Sequence, residues 1–406
     1  MRACVFTLGC KVNEVESASI MQGLEERGFE VTDELSYAEL YLINTCAVTA
    51  EAEKKSRQAI ARVRKYNPNA RVLVLGCAAE HSAEAFRERG VSLVTGAMRK
   101  DKIFELLEKE GVFRESEDTF CELPAPARTK TRAFLRIQDG CNRFCAYCLI
   151  PYLRGRTRSR SAESILAEAK GTNAREIVLT GIDITSYRDG DTDLGGLLLL
   201  LKDMPARIRL GSVEPGLITR EFLEKMRAAG NAVPHFHLSL QSGSSKVLRA
   251  MNRHYTREEY LEKCALVYEY FPDAAITTDI IVGYPTETEE DFQESLSIVE
   301  EAGLARVHAF PFSPREGTNA FKLKDLPAKT KRERMARMLE AAARAEDKYI
   351  ARFLGTERVA LFEEEGGYTE NYLRVYAEEA REGELCRVRL TGRLKDGVSA
   401  EIIEEI

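Results

Sequence analysis

The sequence of 406 residues contains no apolar run near the ~18 residues that a membrane span needs, which excludes a spanning helix. Its start lacks the charged, apolar and small-residue zones of a secretory leader. Met1 leads straight into the apolar stretch 3–8, which ends at Gly9-Cys10 and reads as a first strand, so the cytoplasm is the expected compartment. No internal repeat or low-complexity tract is present, and a repeat array is thereby excluded. Histidine is scarce: there are five, and along the chain they do not form a ligand set. His81 opens a helical stretch, His235 and His237 alternate with apolar residues, and His254 and His308 stand alone. The net charge of −6 argues against broad, nonspecific polyanion binding.

Cysteine, by contrast, is plentiful. Ten cysteines in a chain expected to work in a reducing compartment favour metal or redox chemistry over disulfides. Gly140-Cys141-Asn142-Arg143-Phe144-Cys145-Ala146-Tyr147-Cys148 offers three thiolates in one loop, enough to ligate three irons of a [4Fe-4S] cluster. The fourth cysteine of a ferredoxin run is missing, which leaves one iron open to a chelating substrate. A zinc knuckle is the alternative, but it wants a fourth Cys or His, and none lies close by. Three further cysteines share one relative position: Cys10, Cys46 and Cys77 each follow an apparent parallel strand. Parallel strands of one sheet end on the same edge, so these thiols can converge where such sheets bind ligands. Inert burial of each is the alternative. Cys4, Cys121, Cys264 and Cys386 are read as ordinary buried thiols.

Hydrophobic content of 44% and charged content of 31% describe a globular chain long enough for two or three domains. Residues 1–114 alternate strand-like runs (4–8, 40–44, 72–75, 91–95) with amphipathic stretches (15–27, 50–64), as in an open α/β sheet. Residues 115–130, with Pro124 and Pro126, read as a linker. A second series spans 131–353, with strands at 133–137, 176–180, 207–213, 235–240, 275–282 and 305–310. Helices at 162–170, 219–229, 257–270 and 289–302 separate them, and a long helix covers 329–352. Six βα units fit a partial (βα)6 barrel, with the cysteine loop at the carboxyl end of its first strand. Residues 354–406 read as a small all-β barrel, with strands at 357–363, 372–378, 386–391 and 399–403. Turns are expected at Gly366-Gly367, Gly383 and Asp396-Gly397.

Charge is uneven. Between residues 128 and 160 stand nine basic side chains (Arg128, Lys130, Arg132, Arg136, Arg143, Arg154, Arg156, Arg158 and Arg160) against one acid, Asp139. A basic stripe around the cysteine loop of an acidic protein predicts a polyanion held there.

With these residues in view, the chain resembles the radical S-adenosylmethionine methylthiotransferases over essentially its whole length. Cys-x3-Cys-x2-Cys with Tyr147 is similar to the superfamily's cluster loop. Thr7-Leu-Gly-Cys-Lys-Val-Asn13, Asn44-Thr-Cys-Ala-Val-Thr49 and Gly76-Cys77 resemble the family's auxiliary-cluster domain. These stretches, with Asn142-Arg-Phe-Cys145 and Ile150-Pro-Tyr-Leu-Arg-Gly-Arg-Thr-Arg-Ser-Arg160, are most like the branch acting on N6-threonylcarbamoyladenosine at position 37 of tRNA.

The resemblance implies a radical SAM barrel and a TRAM-like RNA-binding β domain. It implies two [4Fe-4S] clusters, one on Cys141, Cys145 and Cys148 and one on Cys10, Cys46 and Cys77. S-adenosylmethionine is then the second cofactor, a flavodoxin or ferredoxin the electron donor, the tRNA anticodon loop the substrate, and a 2-methylthio group the addition. Tyr147, Gly181, Glu214, Ser239, Gln241 and Asp279 would line the cofactor site, with Gly181 and Gly243 permitting close backbone approach. Arg154, Arg156, Arg158 and Arg160 would hold RNA phosphates, and Tyr368, Tyr372 and Tyr376 would stack bases. Asp183 stands where this branch often has histidine and Glu80 where glutamine is common; neither is expected to touch a ligand thiol. Alternatives are a prenylated adenosine, a ribosomal-protein aspartate, or a noncatalytic iron–sulfur RNA-binding protein.

Overall fold

In the computed structural model, which describes residues 1–114, 119–126 and 131–406, the first sheet has six parallel strands. These are β1 (Arg2–Thr7), β2 (Glu30–Thr32), β3 (Leu40–Thr45), β4 (Arg71–Gly76), β5 (Leu93–Thr95) and β6 (Gly111–Phe113), in the order β2-β1-β3-β4-β5-β6. All six residues of β3 are buried, because a parallel sheet is covered on both faces. β2 and β6, three residues each, are too short to show a period in the sequence. The helix Lys11–Glu25 starts four positions before the predicted 15, with Cys10 as its N-cap residue.

The central part carries β7 (Arg132–Arg136), β8 (Gln138–Asp139), β9 (Arg158–Ser159), β10 (Glu176–Thr180), β11 (Arg188–Asp189), β12 (Thr192–Asp193), β13 (Arg207–Leu210), β14 (Ser212–Val213), β15 (His235–Leu238), β16 (Ala275–Val282) and β17 (Arg306–Pro311). Parallel pairing runs β13-β10-β7 in one sheet and β14-β15-β16-β17 in the next. The predicted strand 207–213 is divided at Gly211, whose N–H donates to the Leu179 carbonyl at 2.9 Å. Helices Ala162–Gly171, Arg220–Ala229, Arg257–Tyr270 and Glu289–Glu301 cover these sheets, and one continuous apolar core joins the two layers.

After the helix Ala328–Ala351, β18 (Glu357–Glu363), β19 (Gly366–Thr369), β20 (Arg374–Tyr376), β21 (Leu385–Leu394) and β22 (Gly397–Glu405) close into a barrel ordered β18-β19-β20-β22-β21. The turn expected at Gly366-Gly367 is instead the start of β19; the chain reverses at Glu364-Glu365. Among the described residues no helix is long and apolar enough to cross a membrane. In the expected linker, residues 115–118 and 127–130, and with them Arg128 and Lys130 of the basic stripe, lie outside the described residues.

Buried Glu176 anchors the barrel to the amino ends of the central strands. It receives Arg207 at 2.5 Å and Arg209 at 2.9 Å, and these arginines donate onward to the carbonyls of Tyr368 (2.8 Å) and Thr369 (3.1 Å). Burial opposes ionisation of Glu176, yet Arg209 and Arg207 prevail and lower its pKa to about 2. The same interface corrects the expected base-stacking role of two tyrosines. Tyr372 stacks on His235 at 3.9 Å and Tyr368 on Tyr372 at 5.0 Å, so both rings serve domain docking. Tyr376 bonds Asp396 at 2.5 Å. Glu176→Ala would leave buried Arg207 and Arg209 without their carboxylate, at a cost of about 3–5 kcal/mol. Thermal unfolding should show the loss, with earlier proteolytic release of the barrel; an unchanged transition would contradict the anchor.

Candidate active site

The cysteine loop leaves the carboxyl end of β7 through Gln138, Asp139 and Gly140. Buried Gln138 is its frame: its amide donates to the Asp139 and Gly140 carbonyls (2.8 and 2.7 Å) and to Thr157 (2.8 Å), while its carbonyl accepts the Asp183 N–H at 2.6 Å. Gly140 has φ +71°, and a Cβ there would fall 1.9 Å from the Arg156 carbonyl oxygen. Cys141 N–H then donates to the Gly155 carbonyl at 3.1 Å, closing the loop. Gly140→Ala should therefore prevent loop closure. Its iron should drop to what Cys10, Cys46 and Cys77 hold while helical content by circular dichroism stays native; full iron loading would refute the constraint.

Cys141, Cys145 and Cys148 are free and partly exposed. Each sulfur faces a hydrogen-bond donor or a cation. Arg143 N–H reaches Cys141 Sγ at 3.4 Å and Arg253 Nη1 reaches Cys145 Sγ at 3.3 Å, while the Ile150 backbone serves Cys148. Burial pushes the Cys141 thiol up to about 11 and Cys148 to about 12, so ligation here must expel protons. Asp183 approaches Cys141 Sγ at 4.0 Å and holds Arg143 at 2.9 Å, correcting the expectation that it stays clear of the thiols. Glu80 lies apart, accepting from Ala97 N–H at 3.2 Å.

Of the expected cofactor-lining residues, Tyr147 belongs to this loop and Glu214 and Ser239 connect to it through Arg253. Tyr147 packs on the buried group of Val247, Met251 and Tyr284. Glu214 takes Arg253 Nη2 at 2.6 and 2.5 Å, linking that carboxylate to the Cys145 thiol through one guanidinium. Ser239 offers its carbonyl to Tyr255, and Gln241 (φ +72°) bridges to Asp279 and Ile281 through its backbone. Gly181 and Gly243 do permit close backbone approach: a Cβ would fall 2.8 Å from the Gln138 carbonyl and 2.5 Å from the Glu294 carbonyl. Both glycines serve packing. Asp279 lies 3.5 Å from His237, whose other ring nitrogen shares Thr277 with His235 (3.0 and 3.1 Å). The His308 ring is 6.0 Å from that of His237, so His308 of β17 approaches the two histidines of β15 across the intervening β16. Period-two alternation in β15 was the available signal; the register to β16 and β17 was not.

Cys10, Cys46 and Cys77 do stand at the carboxyl edge of the first sheet, after β1, β3 and β4. A Cβ on Gly9 would lie 2.8 Å from Cys46 Sγ, so glycine lets the first loop close over that thiol. Burial raises the Cys46 thiol to about 11. Beneath them Arg154 is fully buried. Its guanidinium donates to Glu16 (3.0 and 3.1 Å), Asp139 (3.0 Å), Asn13 (2.9 Å) and Cys77 Sγ (3.4 Å). Lys100 and Arg136 also pair with Glu16. Burial disfavours the Glu16 anion, but Arg154, Lys100 and Arg136 outweigh it and hold the carboxyl below the ordinary range.

This overturns the phosphate-binding expectation for three arginines. Arg154 is 0% exposed, Arg158 is buried against Asp139, and Arg160 is held by Glu122 and Glu168. A buried guanidinium must keep its carboxylate. Of the four, Arg156 alone is exposed. Glu16, Lys100, Gln138 and Arg253 are site residues that no local motif marks, while Asn13 closes the stretch 7–13 that carries Cys10.

The first sheet's cysteine edge faces the carboxyl ends of the central strands. Ala50 N–H meets Ser313 Oγ at 3.3 Å, Glu53 pairs with Arg315, and Arg154 ties Cys77 to Asp139. Among the described residues no three His, Cys, Asp or Glu side chains close on a single metal ion. In a [4Fe-4S] cube each thiolate binds its own iron, which asks for wider spacing, and N–H donors at the sulfurs suit its negative charge. The donor chemistry of Cys141, Cys145 and Cys148, each with an N–H or cation at its sulfur, suits such a cluster.

Comparison with known proteins agrees with this arrangement. Residues 135–299 match the radical SAM superfamily, and residues 2–96 match a family described as uncharacterized, UPF0004. The chain is 38% identical, over 89% of its length and 86% of the relative's, to a threonylcarbamoyladenosine tRNA methylthiotransferase, MtaB, of Chlamydia pneumoniae. It is 33% identical, over 92% of its length and 77% of the relative's, to a tRNA-2-methylthio-N(6)-dimethylallyladenosine synthase of Staphylococcus haemolyticus. Among solved structures, a radical S-adenosylmethionine methyltransferase, TsrM, from Kitasatospora setae shares the fold with TM-score 0.56 at 14% identity, over 76% of this chain and 74% of that one. The chain belongs to the radical S-adenosylmethionine tRNA methylthiotransferases and is an enzyme of that family.

Proposed function

We propose that this enzyme adds a 2-methylthio group to N6-threonylcarbamoyladenosine at position 37 in the anticodon loop of tRNA, in the cytoplasm. The observation that supports the reading is that the sheet edge bearing one cysteine set packs on the strand end bearing the other, with Arg154 joining Cys77 to Asp139. In this reading residues 1–114 hold an auxiliary cluster on Cys10, Cys46 and Cys77. Residues 131–353 form a partial (βα)6 barrel with its cluster on Cys141, Cys145 and Cys148, and residues 354–406 form a TRAM-like barrel. Bound there, a [4Fe-4S] cluster with S-adenosylmethionine supplies one-electron chemistry, which an aromatic C–H without an acidic proton requires. Tyr147, Glu214, Ser239, Gln241 and Asp279 position the cofactor. Arg253 holds Glu214 and donates to Cys145, keeping carboxylate and thiol in register. Arg156 faces the RNA, and a flavodoxin or ferredoxin delivers the electron.

Mass spectrometry of tRNA nucleosides from cells lacking the protein tests the substrate. Loss of 2-methylthio-N6-threonylcarbamoyladenosine supports it. Loss of the dimethylallyl analogue instead, or of a methylthiolated ribosomal-protein aspartate, overturns it.

A further inference from the structure

Tyr152 sits in the short helix Ile150–Leu153, directly after the cysteine loop, between buried Pro151 and Leu153, yet its own side chain is 57% exposed. It meets the Phe144 ring edge-on, at 5.6 Å and 75°. Phe144 lies within the cysteine loop at φ +48°, a left-handed conformation that a bulky side chain rarely adopts. Asn252 holds it there, donating to the Arg143 carbonyl at 3.3 Å and the Phe144 carbonyl at 3.0 Å. The exposed Arg156 guanidinium lies 4.6 Å from the centre of the same ring. Two aromatic rings and a cation are thus presented outward at the rim of the thiol loop, and apolar burial explains neither the exposed tyrosine nor the strained backbone.

We infer that Tyr152, Phe144 and Arg156 form a stacking platform for the nucleobase adjoining the target in a single-stranded RNA loop. The inference rests on the tRNA reading above and adds the site at which the loop is gripped. A base drawn into an active site leaves its neighbour unstacked, and an aromatic face restores that stacking. Sequence-tolerant recognition of single strands combines such rings with a nearby cation for the backbone phosphate. Tyr152 provides the face, Phe144 buttresses it, and Arg156 provides the charge.

The test is anaerobic binding of a fluorescent anticodon stem-loop RNA containing N6-threonylcarbamoyladenosine to the iron-loaded full chain. Tyr152→Ala should weaken binding roughly tenfold. Tyr152→Phe should bind as wild type, because the ring and not the hydroxyl acts. Arg156→Gln should lower the slope of log affinity against log salt by about one. Tyr152→Leu keeps an apolar contact with Phe144 without a stacking face, and iron content reports whether the loop is intact. Wild-type affinity in an iron-replete Tyr152→Leu protein would overturn the platform. If the wild-type protein itself fails to bind this RNA, the tRNA reading is what has failed, and the platform falls with it.

Discussion

Cys145→Ala should reduce reductive formation of 5′-deoxyadenosine to background, whereas Cys46→Ala should retain that reaction and lose insertion of the methylthio group. The asymmetry follows from placement. Cys145 lies in the loop framed by Gln138 and Gly140, with Arg253 joining its sulfur to Glu214. Removing it takes one of three ligands from the only loop whose cysteine count leaves an iron free for the cofactor. Cys46 stands in the other sheet, at the end of β3, where Ser56 holds its backbone N–H at 3.1 Å. Each variant should keep about half of the wild-type iron, since one of two clusters remains. Cofactor cleavage by the Cys145 variant, or methylthio product from the Cys46 variant, would contradict the division of roles.

Arg154→Met should destabilise the protein by about 3–5 kcal/mol, because buried Glu16 and Asp139 would each lose a short contact that Arg136, Lys100 and Arg158 do not replace. A fall of several degrees in Tm is the first readout. The second is loss of iron from the Cys10, Cys46 and Cys77 set, since Cys77 loses its 3.4 Å donor and the two sheets lose one of their bridges. Arg154→Lys should recover little: a single ammonium cannot span Glu16, Asp139, Asn13 and Cys77 as a planar fork does. A phosphate-binding arginine would behave in the opposite way, leaving Tm unchanged and lowering RNA affinity with a shallower salt slope. That result would refute the buried network.

Arg154 also shows what the sequence leaves illegible. Its local window holds nine cations and one acid, which reads as a surface stripe. Its partner Glu16 is 138 positions away, and Glu176, which collects Arg207 and Arg209, looks like any polar residue at a strand start. Ion pairs between distant elements carry no spacing signature. The approach of His308 in β17 to His235 and His237 in β15 is illegible for the same reason, since register between strands is set by packing. The cysteines were legible because each set obeys a local rule, one a fixed spacing in a loop and the other a repeated position at the ends of apolar runs. Strand limits were close wherever the apolar run was long, as in β10 and β16, and failed where glycine divided a run at 211 or began a strand at 366.

The central claim is that the Cys141, Cys145 and Cys148 thiolates hold an iron cluster with one corner open to S-adenosylmethionine. Electron paramagnetic resonance of the reduced, oxygen-free protein, before and after adding that cofactor, examines it directly. The account predicts about eight irons per chain and a signal that changes on cofactor addition. Bound zinc in place of iron, or an iron signal indifferent to the cofactor, would contradict it.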